Sequence, residues 1–107
     1  MQKLNVYEGE TTEFKSCCNT ARASLPNDSW KTISAFANTR GGDIYLGVAD
    51  DGTIIGLDSS QLDALQKDLS SMISGDLFNR KPIIKIETMD SYLKVEVKEQ
   101  EFYNKPI

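Results

Sequence analysis

The chain is 107 residues long, 26% charged, with a net charge of −4 and no histidine. That is the composition of an ordinary globular protein with room for one domain and one core, and it argues against a generic basic nucleic-acid binder. No apolar run is long enough to span a bilayer, and "MQKLNVYEGE" lacks the apolar centre of a secretion signal, so a cytoplasmic location is expected.

The absence of histidine rules out imidazole acid–base chemistry. The two cysteines, Cys17 and Cys18, are adjacent; such a pair makes no disulfide framework and offers little to zinc. Charge is uneven along the chain. Residues 1–42 carry one net positive charge and residues 43–107 carry five net negative charges, so a phosphate-facing surface is expected in the N-terminal part.

In chain order, "VYEGETTEFKS" has the aromatic and threonine content of a strand. "CCNTARASLPN" is irregular and closes at Pro26. Asn27, Asp28 or Ser29 can then cap a helix that carries Trp30, Ile33, Phe36 and Ala37 on one face. Asn38 to Gly42 end that helix, because Asn and Gly tolerate a left-handed backbone. "DIYLGVA" is short, apolar and bounded by turn residues, which predicts a central strand covered on both faces. "DDG" signals a tight turn, and "TIIGL" is expected to return as its hairpin partner.

Ser60 and Asp63 resemble a capping box at the start of a second helix. Leu62, Leu65, Leu69 and Met72 form its apolar stripe, and Gly75 stops it. "KPIIKIETM" and "YLKVEVKE" alternate apolar and polar residues around a "DS" turn, the pattern of a hairpin with one wet face. The expected fold class is therefore α+β: a small mixed sheet of about five strands in two hairpins, with two main helices. Residues 1–107 are expected to form a single domain, the N-terminal fragment of a longer protein.

Several short motifs recur here in a definite order: Glu13-Phe14-Lys15, Ser34 to Thr39, Gly41-Gly42, Leu46-Gly47-Val48, Asp51-Gly52 and Gly56-Leu57. Together with "KPIIKIE" and "YLKVEVKEQ" they resemble the Schlafen AlbA-like domain, a DNA-binding domain of bacterial transcriptional regulators once described as a divergent AAA domain. The resemblance runs from about Glu8 to Ile107. It implies a small α+β fold, a DNA or RNA partner, and a place at the N-terminus of a regulator. Relatives in such regulators continue past "KPI" to a Tyr-x-Arg-x-Gly segment absent here. In animal relatives the same domain can be an RNA endonuclease with a three-carboxylate site.

Mapped onto this sequence, the nuclease alternative would use Glu8, Glu13 and either Asp50 or Asp51 as catalytic acids. Glu8, Glu13 and Asp51 would then hold Mg²⁺ or Mn²⁺, hard cations that prefer oxygen ligands. The plainer account makes Asp50 and Asp51 turn residues before Gly52 and pairs Glu13 with Lys15 or Arg22. Under the binding reading no cofactor is needed. The nucleic-acid-binding candidates are then Lys15, Arg22, Lys31 and Arg40.

Gly41 and Gly42 invite a phosphate-loop interpretation, but they follow a helix, whereas anions favour a helix N-terminus. No Walker A pattern is present. Trp30, Phe36 and Tyr45 are potential base-stacking platforms, although their periodic placement favours core packing. A third alternative is a protein-interaction or sensory module without nucleic-acid contact, to which the acidic C-terminal half and exposed hairpin edges belong. A homodimer is a further possible partner state. A binding protein, rather than an enzyme, is the expectation carried forward.

Overall fold

A computed structural model describes residues 4, 8–9, 11–16, 29–75, 83–89 and 91–99. Cys17, Cys18, Arg22, Pro26, Asn27, Asp28 and the terminal "FYNKPI" lie outside them. Six elements follow in chain order: β1 (Thr12–Lys15), α1 (Ser29–Ala37), β2 (Gly42–Leu46), α2 (Ser59–Ser74), β3 (Ile84–Thr88) and β4 (Leu93–Val97). No described helix is long and apolar enough to cross a membrane.

The four strands form one mixed sheet in the order β1-β2-β4-β3. β1 runs parallel to β2, with Glu13 opposite Ile44 and Phe14 opposite Tyr45. β4 lies antiparallel between β2 and β3, placing Val95 opposite both Ile44 and Ile86. The fold class is thus α+β with a mixed sheet, as the sequence predicts, with four strands in place of about five.

The missing strand is "TIIGL". Its pairing with the end of "DIYLGVA" shrinks to a single bridge, Val48 with Ile54. Ile55 N–H still donates to Gly47 O at 2.8 Å, but Leu57 N–H donates to Ser91 O at 2.9 Å. Between them Gly56 takes φ +88°. The chain leaves the sheet there so that Leu57, 3% exposed, can drop into the core. Burying that side chain offsets the ladder hydrogen bonds given up.

Alternation along the strands sets the two faces. Ile44, Leu46, Leu93, Val95 and Val97 meet Ile33, Phe36 and Ala37 of α1 and Leu62, Leu65 and Leu69 of α2 in the main core. Ile84, Ile86, Trp30 and Met72 pack at its margin. On the other face a smaller cluster joins Phe14, Tyr45 and Val48, flanked by Leu4 and Tyr92. Phe14 and Tyr45 pack edge to face at 5.8 Å between centroids, and Tyr45 lies 6.2 Å from Tyr92.

The start of α2 corrects the expected cap at Ser60 and Asp63. Asp58 is the N-cap, accepting from Gln61 N–H at 2.9 Å, while the Gln61 side chain accepts from Asp58 N–H at 2.9 Å. Gln61 is long enough to reach back to the cap amide, whereas the shorter Asp63 instead pairs with Lys67 one turn on, at 3.2 Å. Ser60 Oγ donates to Asp58 Oδ1. These hydrogen bonds, the one from Gln61 N–H first, hold the Asp58 carboxyl below its usual range. At the other end Gly75 N–H donates to Met72 O, with φ −77° rather than a left-handed backbone.

Candidate nucleic-acid interface

α1 ends at Ala37; Asn38 N–H still donates to Ser34 O, and the chain then turns through Thr39, Arg40 and Gly41 into β2. Thr39 Oγ1 folds back onto Ala35 O at 2.8 Å. Gly41 N–H donates to Phe36 O at 2.7 Å, and Gly41 takes φ +78°. A β-carbon at Gly41 would sit 2.6 Å from Val97 O, and one at Gly42 would sit 2.8 Å from the Phe36 ring. The two glycines are therefore explained by packing: one lets the end of β4 approach, the other lets a core aromatic lie on the strand.

Arg40 is exposed on this loop. With Thr11, Ala35, Phe36 and Thr39 it lines a pocket of about 380 Å³ at the seam between α1 and the start of β1. The sequence singles out Arg40 and Phe36 but not Thr11, Ala35 or Thr39. Thr11 stands far from the others in sequence, and only the parallel pairing of β1 with β2 brings it alongside, through its carbonyl accepting from Asp43 N–H at 2.9 Å.

Lys15 is at the other end of β1. Its carbonyl accepts from Gly47 and Val48 N–H, where β2 gives way to the Ala49–Thr53 turn. Arg40 and Lys15 thus flank opposite ends of β2, a strand about 13 Å long at ~3.3 Å per residue. Lys31 projects from α1 with its Nζ 5.8 Å from the Trp30 ring centroid, at the outer limit of a cation–π contact. Phe36 and Tyr45 are buried and Trp30 is half-buried, which suits packing better than base stacking. Burial also pushes the Tyr45 phenol upward, so it stays neutral.

Of the candidate acids, the fold brings Glu8 and Glu13 together. Glu8 Oε1 accepts from Phe14 N–H at 3.0 Å. Burial, followed by a side-chain hydrogen bond and charge repulsion from Glu8, raises the Glu13 carboxyl above its usual range; Lys15 opposes this.

Asp50 and Asp51 are exposed in the turn after Val48. Asp51 Oδ1 accepts from Thr53 N–H at 2.9 Å, an Asx-type turn bond. Among the described residues no three of His, Cys, Asp or Glu group closely enough to hold a metal ion. Glu8 and Glu13 therefore offer two carboxylates, with no third beside them among the described residues.

The family model described as Schlafen, AlbA_2 matches residues 8–105, which takes in both strand ends, the Glu8–Glu13 pair and the whole sheet. No curated protein matches the chain.

Proposed function

Because the chain belongs to the Schlafen AlbA_2 family, we propose that it is a nucleic-acid-binding module, and specifically the DNA-binding domain of a bacterial transcriptional regulator. Family membership across nearly the whole chain is the observation that carries this reading. The exposed Arg40 beside a pocket gives it a physical point of contact. A guanidinium at a loop tip suits phosphate oxygens, which it can grip with two parallel hydrogen bonds. Lys15, Lys31 and Arg22 are the further cations assigned to the nucleic-acid backbone.

The test is binding of single- and double-stranded DNA and RNA across a salt series. Affinity should fall linearly on a log–log plot, and Arg40→Glu should weaken binding and flatten the slope by about one phosphate contact or more. Retained affinity and slope in Arg40→Glu, Lys15→Glu and Lys31→Glu would overturn the assignment of these residues. No binding to any nucleic acid at low salt would overturn the function.

The Glu8–Glu13 pair favours a second reading, a metal-dependent endonuclease, to which Asp50 or Asp51 would contribute. Its test is cleavage of transfer RNA with Mn²⁺ beside a Glu13→Ala control. Cleavage lost in the variant supports it, and equal cleavage by both proteins dismisses it.

A further inference from the structure

The two edges of the sheet are finished differently. At the β1 edge the outward N–H and carbonyl of Thr12 pair with Gly9, and the outward N–H of Phe14 meets Glu8 Oε1. At the β3 edge, Ile83 O accepts from Lys98 N–H and Met89 N–H donates to Tyr92 O. Those bonds fix the inward-facing backbone to Ile83, Lys85, Glu87 and Met89. The N–H and carbonyl groups of Ile84, Ile86 and Thr88 consequently point away from β4. Among the described residues none of these groups makes a backbone hydrogen bond.

We infer that this edge pairs with the β3 edge of a second copy of the chain, antiparallel, about a two-fold axis at Ile86. The strand is complementary to itself in that register. On the open face, Lys85 stands opposite the second copy's Glu87 and Glu87 opposite its Lys85. Ile83, 60% exposed in the single chain, stands opposite Met89. On the helix face Ile86 meets Ile86, and Ile84 meets Thr88. The residues with outward backbone groups face one another, which allows about six inter-chain hydrogen bonds.

Charge placement extends a pattern already present within the chain. Lys85 is opposite Glu96 and Glu87 opposite Lys94 on β4, so signs alternate from strand to strand. Pairing at Ile86 continues that alternation into the second copy. The neighbouring registers do not. Moving the axis by one residue puts Lys85 opposite Lys85 or Glu87 opposite Glu87, and turns inward-bonded backbone groups toward each other. Moving it to Ile84 puts Lys85 opposite Ile83 and leaves that charge without a partner across the seam. Moving it to Thr88 puts Glu87 opposite Met89 and leaves both charges without a partner across the seam.

A charged residue on an edge strand commonly discourages pairing; here Lys85 and Glu87 select one partner and one register. The contact is isologous, each copy using the same strand. It is independent of the nucleic-acid reading.

Sedimentation equilibrium of the chain, with Lys85→Glu and Glu87→Lys variants, tests it. The unsubstituted chain should show a concentration-dependent monomer–dimer equilibrium. Each variant sets like charges opposite one another twice across the axis and should weaken association by about tenfold or more. An equimolar mixture of the two variants should associate again, because each then meets its opposite.

Lys85→Glu also faces Glu96 inside its own sheet, so Thr88→Pro provides a second probe. It removes an outward N–H and leaves the ladder to β4 intact, giving up besides only the exposed hydrogen bond from Gln66 Nε2 to Thr88 Oγ1; it should weaken association with an unchanged circular dichroism spectrum. Amide exchange at Ile84, Ile86 and Thr88 should slow as concentration rises. A monomer up to about millimolar concentration, or association that neither charge variant nor Thr88→Pro disturbs, would overturn the inference.

Discussion

The two ends of β2 look alike in sequence and differ in structure. "NTRGG" before the strand and "DDG" after it are both short, polar and glycine-bearing, each with charge beside the glycine. Before the strand, Gly41 and Gly42 are hemmed in by Val97 O and the Phe36 ring at 2.6 and 2.8 Å from where a β-carbon would stand. After it, Gly52 has φ +90° and its nearest such neighbours are 3.8 Å away. The first loop is held by close packing at its glycines; the second has room there and is held by hydrogen bonds, its own and one from Leu4 N–H to Gly52 O. Turn signals in a sequence report local backbone preference, and tertiary approach is invisible to them.

Substitutions at the glycines should separate the two ends by size of effect. Gly41→Ala combines a left-handed backbone with a clash against the carbonyl of a central strand. It should cost about 3 kcal/mol or more, measured by chemical denaturation. Gly42→Ala meets only the Phe36 ring, itself buried in the core, and should cost about 2 kcal/mol with a lower Tm. Gly52→Ala has room for its methyl group and pays the backbone term alone, about 1 kcal/mol. A Gly52 variant as damaging as the Gly41 variant would erase the distinction between packed and local turns.

The smallest effect is expected between the two ends, at Glu13 opposite Ile44. Its carboxyl is raised by burial and by Glu8, so the folded chain binds this proton more tightly than the unfolded chain does. That contribution favours the fold at low pH. It is lost as pH rises from the ordinary carboxyl value of 4.5 through the higher folded value. Glu13→Gln should flatten the pH dependence of Tm in that window while leaving the glycine ranking intact. An unchanged pH profile would show that folding does not raise the Glu13 carboxyl.

Much of the fold is legible in the sequence because its signals are local. The Leu62, Leu65 and Leu69 stripe, the α1 face of Ile33, Phe36 and Ala37, and the alternation of β3 and β4 appear as periodicity. Strand order is not local, and nothing in "YLKVEVKE" announces that β4 sits between β2 and β3. The lost fifth strand has the same origin, since Leu57 is drawn from the ladder by a core assembled from distant segments. At the candidate site the acids are recognisable one by one. That Glu8 and Glu13 meet, while Asp51 bonds to Thr53, depends on how the chain before β1 folds over the sheet edge.

The way Glu8 and Gly9 close the β1 edge limits how far molecules of this kind can grow by strand addition. A filament built from sheet edges needs two receptive edges on every subunit. Here the backbone groups of Thr12 and the Phe14 N–H are already engaged from within the chain, leaving β3 as the receptive side. If β3 edges pair as inferred above, addition stops after one step, and the Glu8 carboxylate would serve as a chain stopper for assembly.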